Sequence, residues 1–393
     1  MKTVKLEEFN KSKKPWEVEG IEWREVKFTD VVEILDKYRI PVKKKDRKPG
    51  PYPYCGANGV IDFIDGYTHD GEFLMLAEDG GFFGKGEATA YIMKGKFWAN
   101  NHVHVLKVKP NIYLKFLYHF SIFYDFTPHL RGATRPKLSQ IGMRKIKIPL
   151  PFRNGKPDLE TQKKIVEYIE TNFEKIDRIL EKKKKELEFL DELWESVLEH
   201  AFKPKEGEEW REVGFEKLIL KKKYSVGKVK VRKNLLKKGK IPVIDQSQEF
   251  IRGYLNTDEL KYKGTLPVII FGDHTKIIKF VDFPFIVGAD GVKILIPNKS
   301  LVHPKYLYWL LKTTKLPEKG YARHFKFLKK ALYIIPFRNG KPDLEKQKEI
   351  AQYLDNVYQK IKILKEKIQN QIIQLEELKE SILDEVFRHD KAR

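Results

Sequence analysis

Three short patterns in this 393-residue chain carry residue types that could do chemistry. Phe82-Phe83-Gly84-Lys85-Gly86 has the F-x-G-x-G form of a methyl-donor loop, where glycine lets backbone approach the methionine end of the donor. Methyl transfer to a base amine also needs an Asn/Asp-Pro-Pro-Tyr/Phe segment, and the chain has none. The glycines therefore read as turn residues. Asp158, Glu181 and Lys183 can be forced into a nuclease pattern, in which carboxylates share a magnesium ion. On one helix, at 1.5 Å per residue, Asp158 and Glu181 stand about 35 Å apart. They cannot share an ion. His102 and His104 alternate onto one strand face, with no acidic or cysteine partner near them in the sequence. Contact with a base or phosphate suits them better than a metal. No Gly-x-x-x-x-Gly-Lys-Ser/Thr loop is present, so nucleotide hydrolysis is not expected. No catalytic residue and no metal ligand is predicted.

The remaining polar chemistry points to a polyanion. Lys and Arg number 77 against 55 Asp and Glu, a net charge of +22. So much like charge on a folded chain calls for a polyanionic partner, nucleic acid before an anionic membrane. Cations on phosphates supply affinity, while base edges are read by Arg, Asn, Gln and His. Phosphate contacts are expected from Lys43, Lys44, Lys45, Arg47, Lys48 and Lys137, and from Lys228, Lys230, Arg232, Lys233, Lys237 and Lys238. Base readout is expected from Asn58, Arg131, Arg135, Gln246, Gln248, His274, Arg323 and His324. Cys55 is the sole cysteine, which rules out an intrachain disulfide. The N-terminal run has no signal-like apolar stretch, and IYLKFLYHFSIFYDF is interrupted by Lys115, His119 and Asp125. A cytoplasmic protein is expected.

The elements that must position these residues occur twice. PFRNGKPDLE stands at 151–160 and again at 336–345, and sixteen of the 26 positions from 151 and from 336 are identical. EWREV occurs at 22–26 and 209–213, and ESVLEHAF (195–202) answers ESILDEVF (380–387). Each copy reads as mixed β-rich structure, a Pro/Gly hinge, then a long helix capped by Asp158 or Asp343. Apolar residues three and four apart predict a coiled-coil seam: Ile169, Phe173, Ile176, Leu180, Leu187, Leu190 and Trp194 on one helix, with Leu354, Ile361, Leu364, Ile368, Leu375, Leu378 and Ile382 on the other. Connectivity makes the pair antiparallel, and 13–23 reads like the junction 202–210, so the N-terminus completes what the second helix begins. Between the globular copies, Trp98 aligns with Phe285, and Asn100, Asn101, His102 and His104 fall against Val287, Gly288, Ala289 and Gly291. The scaffold repeats while its polar decoration changes.

YPYCGANGVIDFIDGY, GKFWANNHVHVLK and RPKLSQIGMRKIKIPLP, each leading toward a long helix in a duplicated order, resemble the specificity subunits of type I restriction-modification enzymes. The resemblance covers essentially the whole chain. It departs at the family's short P-x-x-x-Q turn, since FRNGKPDLE lies between Pro151 or Pro336 and Gln162 or Gln347. It implies an α+β fold: two similar mixed α/β, β-rich target-recognition domains separated by two long antiparallel coiled-coil helices, with a pseudo-two-fold internal repeat. The expected boundaries are an N-terminal segment at 1–20 packing near the C-terminal helix, recognition domains at 21–150 and 209–335, and hinge-plus-spacer-helix segments at 151–208 and 336–393. In that family each domain reads half of a bipartite, asymmetric double-stranded DNA target. The helices set the spacing and dock the modification (methyltransferase) subunits, here expected to be two, and restriction (translocase/nuclease) subunits join the complex. The chain itself would be non-catalytic and bind no cofactor, with S-adenosylmethionine, ATP and Mg belonging to partner subunits. The alternatives are a sequence-blind basic architectural coiled coil and a stand-alone methyltransferase or nuclease.

Overall fold

The decapeptide that occurs twice folds each time as the same hairpin. Strand Lys147–Arg153 returns as Lys156–Pro157, and Leu332–Arg338 returns as Lys341–Pro342. Each turn is Asn-Gly with both residues at positive φ, 50° and 76° in Asn154-Gly155, 51° and 75° in Asn339-Gly340. Two consecutive positive φ values define the type I′ turn that suits the twist of flanking strands. The outer partner of each hairpin is the other repeated motif. Glu22–Lys27 places Trp23 opposite Pro151, and Glu209–Gly214 places Trp210 opposite Pro336. The segment expected to be a hinge is thus a three-stranded sheet, because an Asn-Gly pair between β-forming residues closes a hairpin.

The computed structural model describes residues 14–221, 235–288, 291–317 and 323–388. They divide into two compact units, the first from Met1–Lys184 with Gln369–Arg393 and the second from Lys185–Ile368. In the first, a six-stranded sheet runs in the order Val32–Ile34, Val103–Val108, His69–Ala77, Ala90–Ala99, Tyr52–Gly56, Gly59–Ile64. Besides its hairpin sheet, the second has two three-stranded sheets: Gly253–Leu255, Ile241–Ile244, Ile286–Val287; and Ile278–Val281, Val268–Gly272, Val292–Leu295. The ten-residue strand Ala90–Ala99 bridges both halves of its sheet, whereas Asp282-Phe283-Pro284-Phe285 interrupts the counterpart. Proline has no N–H for the ladder, so the sheet divides there. Parallel pairing sets Tyr54 opposite Trp98 and Val243 opposite Ile286. Trp98 therefore corresponds to Ile286, one residue beyond the sequence alignment with Phe285.

Each unit buries one short helix, Leu114–Phe123 or Pro304–Lys312, against its sheet and a long helix. The long helices span Leu159–Ala201 and Leu344–Phe387. Their starts are locked alike. The fully buried Gln162 accepts from Tyr113 N at 2.8 Å and donates to Asn111 O at 3.0 Å. Gln347, equally buried, accepts from His303 N at 2.7 Å and donates to Leu301 O at 3.3 Å. Within the first unit Asp177 meets Lys379, with Ile169, Ile176, Leu180, Leu375 and Ile382 buried. The Phe387 ring lies 5.3 Å from both Phe116 and Phe123. At the start of the described chain Lys14 pairs with Glu385, and Trp16 meets the Tyr168 ring edge-on at 5.2 Å. Within the second unit Asp191 meets Lys365, and Trp194 packs on Trp309 and Tyr358 at 5.1 and 5.2 Å. Moving fourteen residues forward from Lys365 to Lys379 moves fourteen back from Asp191 to Asp177, an antiparallel register. Leu364, expected in the seam, is 44% exposed. Ile361 and Ile368 are seven apart, and the chain divides that interval four then three, so Lys365 takes the intermediate place.

Candidate nucleic-acid interface

In the first unit the central strand His69–Ala77 runs out into Glu78-Asp79-Gly80-Gly81. Asn58 Nδ2 donates to Gly80 O at 3.1 Å. Asp79 Oδ1 lies 2.6 Å from His102 Nδ1 and 2.9 Å from Arg135 Nη2. Arg131 and Lys137 exchange backbone hydrogen bonds of 3.0 and 2.8 Å, closing the loop between them, and Leu138 N donates to Glu78 O at 2.8 Å. Asn58, His102, Arg131 and Arg135 are thereby gathered around one acidic turn, with Arg131 and Arg135 exposed.

Behind this turn is a buried ion network. His104 Nδ1 is 2.6 Å from Asp36 Oδ2, and its Nε2 is 2.7 Å from Leu138 O. Glu78 receives Arg39 at 2.5 Å and Lys137 at 2.6 Å, and Gln140 donates to Asp36 at 2.9 Å. Burial alone would push Asp36 up, but the His104 bond, with Arg39 and Gln140, holds its carboxyl below the ordinary range. Burial likewise opposes the charge on Glu78, while Lys137 and Arg39 hold that carboxyl down. Asp36, Glu78 and His104 are spaced closely enough for a cation. Their carboxylate oxygens are already engaged by guanidinium, ammonium, amide and imidazole donors, so the cluster is better suited to fixing the 131–138 loop than to taking up a metal. A buried network with every member satisfied rigidifies what it holds.

The second unit builds its cluster at the equivalent place. Strand Val268–Gly272 runs out into Asp273-His274. Asp273 O accepts from His324 N at 2.8 Å, and its Oδ1 accepts from Phe325 N at 2.9 Å. His274 N donates to Gln246 Oε1 at 3.3 Å. Gly291, at φ +90°, closes the group: a Cβ there would stand 2.9 Å from Gln246 Nε2 and 3.0 Å from His274 Cδ2. Gln248 is exposed in the same 245–250 loop, which the buried Lys279 supports by donating to Glu249 O at 2.5 Å. In both units, then, the pre-hairpin loop is hung from an acidic residue just past the central strand.

Several expectations change in detail. His102 and His104 do have acidic partners, Asp79 and Asp36, which lie far away in sequence; His102 also sits in the turn before strand Val103–Val108. His324 is fully buried and holds its loop through Asp273, while the neighbouring Arg323 is exposed. Arg47 is engaged by Asp62 at 2.9 Å, Val42 O at 3.1 Å and the Tyr54 ring at 4.2 Å, so its charge is spent inside the fold. Lys137 is likewise neutralised by Glu78. Lys43, Lys44, Lys45, Lys48, Lys237 and Lys238 are exposed, while Lys228, Lys230, Arg232 and Lys233 lie outside the described residues. At Phe82–Gly86, the Glu87 carboxylate accepts from Phe83 N and Gly84 N, and Lys85 is paired with Asp384. It is a turn closed by its own side chains. Glu78, Asp79 and Asp273, which organise both clusters, are absent from the residues picked by sequence. Their signal was an acid directly after an apolar run, in LMLAEDGG and VIIFGDHT.

Two copies of one β-rich unit, each feeding a long helix through an Asn-Gly hairpin, define a duplicated α+β scaffold. The chain belongs to the type I restriction modification DNA specificity domain family, which residues 20–189 and 216–374 match. A type I restriction enzyme specificity subunit of Haemophilus influenzae is 41% identical over 131 residues, 33% of each chain. The EcoR124I/EcoR124II specificity subunit of Escherichia coli is 33% identical over 123 residues, 29% of this chain and 30% of that one. The aligned stretch thus spans about a third of the length of these relatives. In fold, the chain is similar to a structure described for complex assembly and conformational transition of the type I R-M system, with TM-score 0.66, 17% identity, and 94% and 98% of the two chains covered. It is also similar to the HsdS subunit of Thermoanaerobacter tengcongensis, with TM-score 0.51, 17% identity, and 95% and 98% covered. No helix among the described residues is long and apolar enough to cross a membrane.

Proposed function

We propose that this chain is the non-catalytic specificity subunit of a type I restriction-modification complex. Recognition domains at 21–150 and 209–335 each read one half of a bipartite, asymmetric duplex target. The paired helices set the gap between the halves and dock two methyltransferase subunits, which bring S-adenosylmethionine, while restriction subunits bring ATP and Mg chemistry. The observation that carries this reading is the pair of equivalent clusters with different side chains, Asn58, Arg131 and Arg135 in one unit, Gln246, Gln248 and His274 in the other. A sequence-blind binder would have no use for that difference; a reader of two unlike half-sites requires it. The test is selection of duplexes from a random pool by the chain with its modification subunits. A split motif with a fixed gap is expected, and Arg135→Ala should alter preference in one half only. Binding without any selected sequence would favour an architectural role and overturn the proposal.

A further inference from the structure

The second unit contains a cleft of about 370 Å³ between its long-helix segments and, beside the short helix Pro304–Lys312, a larger one of about 490 Å³. The larger is lined by Lys276, Lys279 and Lys312 with Tyr308, Tyr358 and Gln248, and no carboxylate lies among its lining residues. The three cations differ in their partners. Lys279 is turned into the fold, on Glu249 O. Lys276 and Lys312 have no ion-pair partner among the described residues. Lys312 Nζ instead stands over three aromatic faces, 5.0 Å from Tyr308, 5.2 Å from Trp309 and 5.6 Å from Tyr358. Ring quadrupoles steady an ammonium without neutralising it. Burial and neighbouring Lys305 push the Lys312 pKa below the ordinary lysine range, a sign that the positive charge is unmet. Lys276 holds a left-handed backbone at φ 60°, unusual for a residue with a side chain, so the turn accepts strain where it presents this lysine.

We propose that this cleft is a phosphate-binding site, taking a nucleotide-type ligand whose phosphate meets Lys276 and Lys312 and whose base lies against the tyrosine rings. Positive potential in a walled cleft concentrates anions, and aromatic faces stack on bases of any identity. The volume is in the range usual for small-ligand sites. The site is specific to the second unit. The matched contacts of Gln162 with Tyr113 and Gln347 with His303 set the two short helices in register, and nine residues on, Ile122 stands where Lys312 does. The phosphate can come from a free nucleotide or from a duplex backbone engaged beside Gln248. This inference goes beyond the recognition reading and does not need Gln248 to touch a base.

The test uses the full chain and two arms. Calorimetry with AMP, inorganic phosphate and adenosine should show AMP bound, adenosine not, and AMP affinity about tenfold or more weaker in Lys312→Gln, as loss of a charge-assisted contact implies. Lys276→Asn, which keeps a residue tolerant of the left-handed region, should weaken it too and guards against misfolding of the first variant. If AMP does not bind but the salt slope of duplex binding falls by about one in both variants, the phosphate is the duplex's. The proposal is overturned if adenosine binds as well as AMP, or if neither AMP affinity nor the duplex slope responds to both variants. A chain that selects no DNA sequence yet binds AMP through Lys312 would sink the recognition reading and leave this one standing.

Discussion

At the scale of single residues, the decisive distinction is between cations that face solvent and cations already answered by the fold. Sequence alone groups Lys43, Lys44, Lys45, Arg47 and Lys48 as one basic loop. The structure separates Arg47, whose guanidinium is held by Asp62, a carbonyl and a tyrosine face. Replacing the four lysines with Ala should lower the salt slope of DNA binding by up to about four and weaken all sequences alike. Arg47→Ala should leave that slope unchanged and instead reduce stability by about 1–2 kcal/mol, read from the urea midpoint. A slope change in Arg47→Ala with intact stability would return it to the phosphate clamps. The sequence could not make this separation, because Asp62 becomes a neighbour only through pairing of strands Tyr52–Gly56 and Gly59–Ile64. The same holds for Asp36 with His104, sixty-eight residues apart.

At the scale of elements, local pattern was more informative. The heptad-like spacing of Ile169, Ile176 and Ile361 with Ile368 identified both long helices, and the Asp158 and Asp343 caps marked their starts. What local pattern misjudged was the Pro/Gly segment, read as a hinge although Asn154-Gly155 and Asn339-Gly340 have the chemistry of a tight hairpin turn. It also could not divide the seven-residue interval around Leu364, since both divisions put a residue near the seam. The buried glutamines are the joints between helix and globular part. Gln162→Ala should leave Tyr113 N and Asn111 O without their amide partner at a half-buried joint, costing about 1–3 kcal/mol. Chemical denaturation checks this. A loss within experimental scatter would mean that water replaces the amide, and that the joint is not what orients the helix.

At the scale of the whole molecule, the proposed spacing role makes a test that the observed register sharpens. Asp177 with Lys379 and Asp191 with Lys365 place position 184 level with 372. One heptad inserted after Lys184 and another after Gln371 keeps the seam in phase and lengthens it by about 10.5 Å. Duplex DNA rises 3.4 Å per base pair, so the gap in the selected target should grow by roughly three base pairs while both half-sites stay the same. Insertion in one helix alone should lower stability. A folded double-insertion variant with an unchanged gap would remove the helices from the spacing role.

The first unit is assembled from two stretches of chain with the entire second unit between them. Phe387 fills the space among Phe116, Phe120 and Phe123, and Asp384 reaches Lys85, so the late stretch supplies core and ion pair to the early one. On a ribosome adding roughly 5–20 residues each second, the early stretch emerges and then waits for the intervening 185–368 to be made. For that interval its aromatic face is open to any holdase or neighbouring nascent chain, while the second unit, contiguous in sequence, can close as soon as it is released. The order of completion is thus the reverse of the order of synthesis: the unit begun first is the unit finished last.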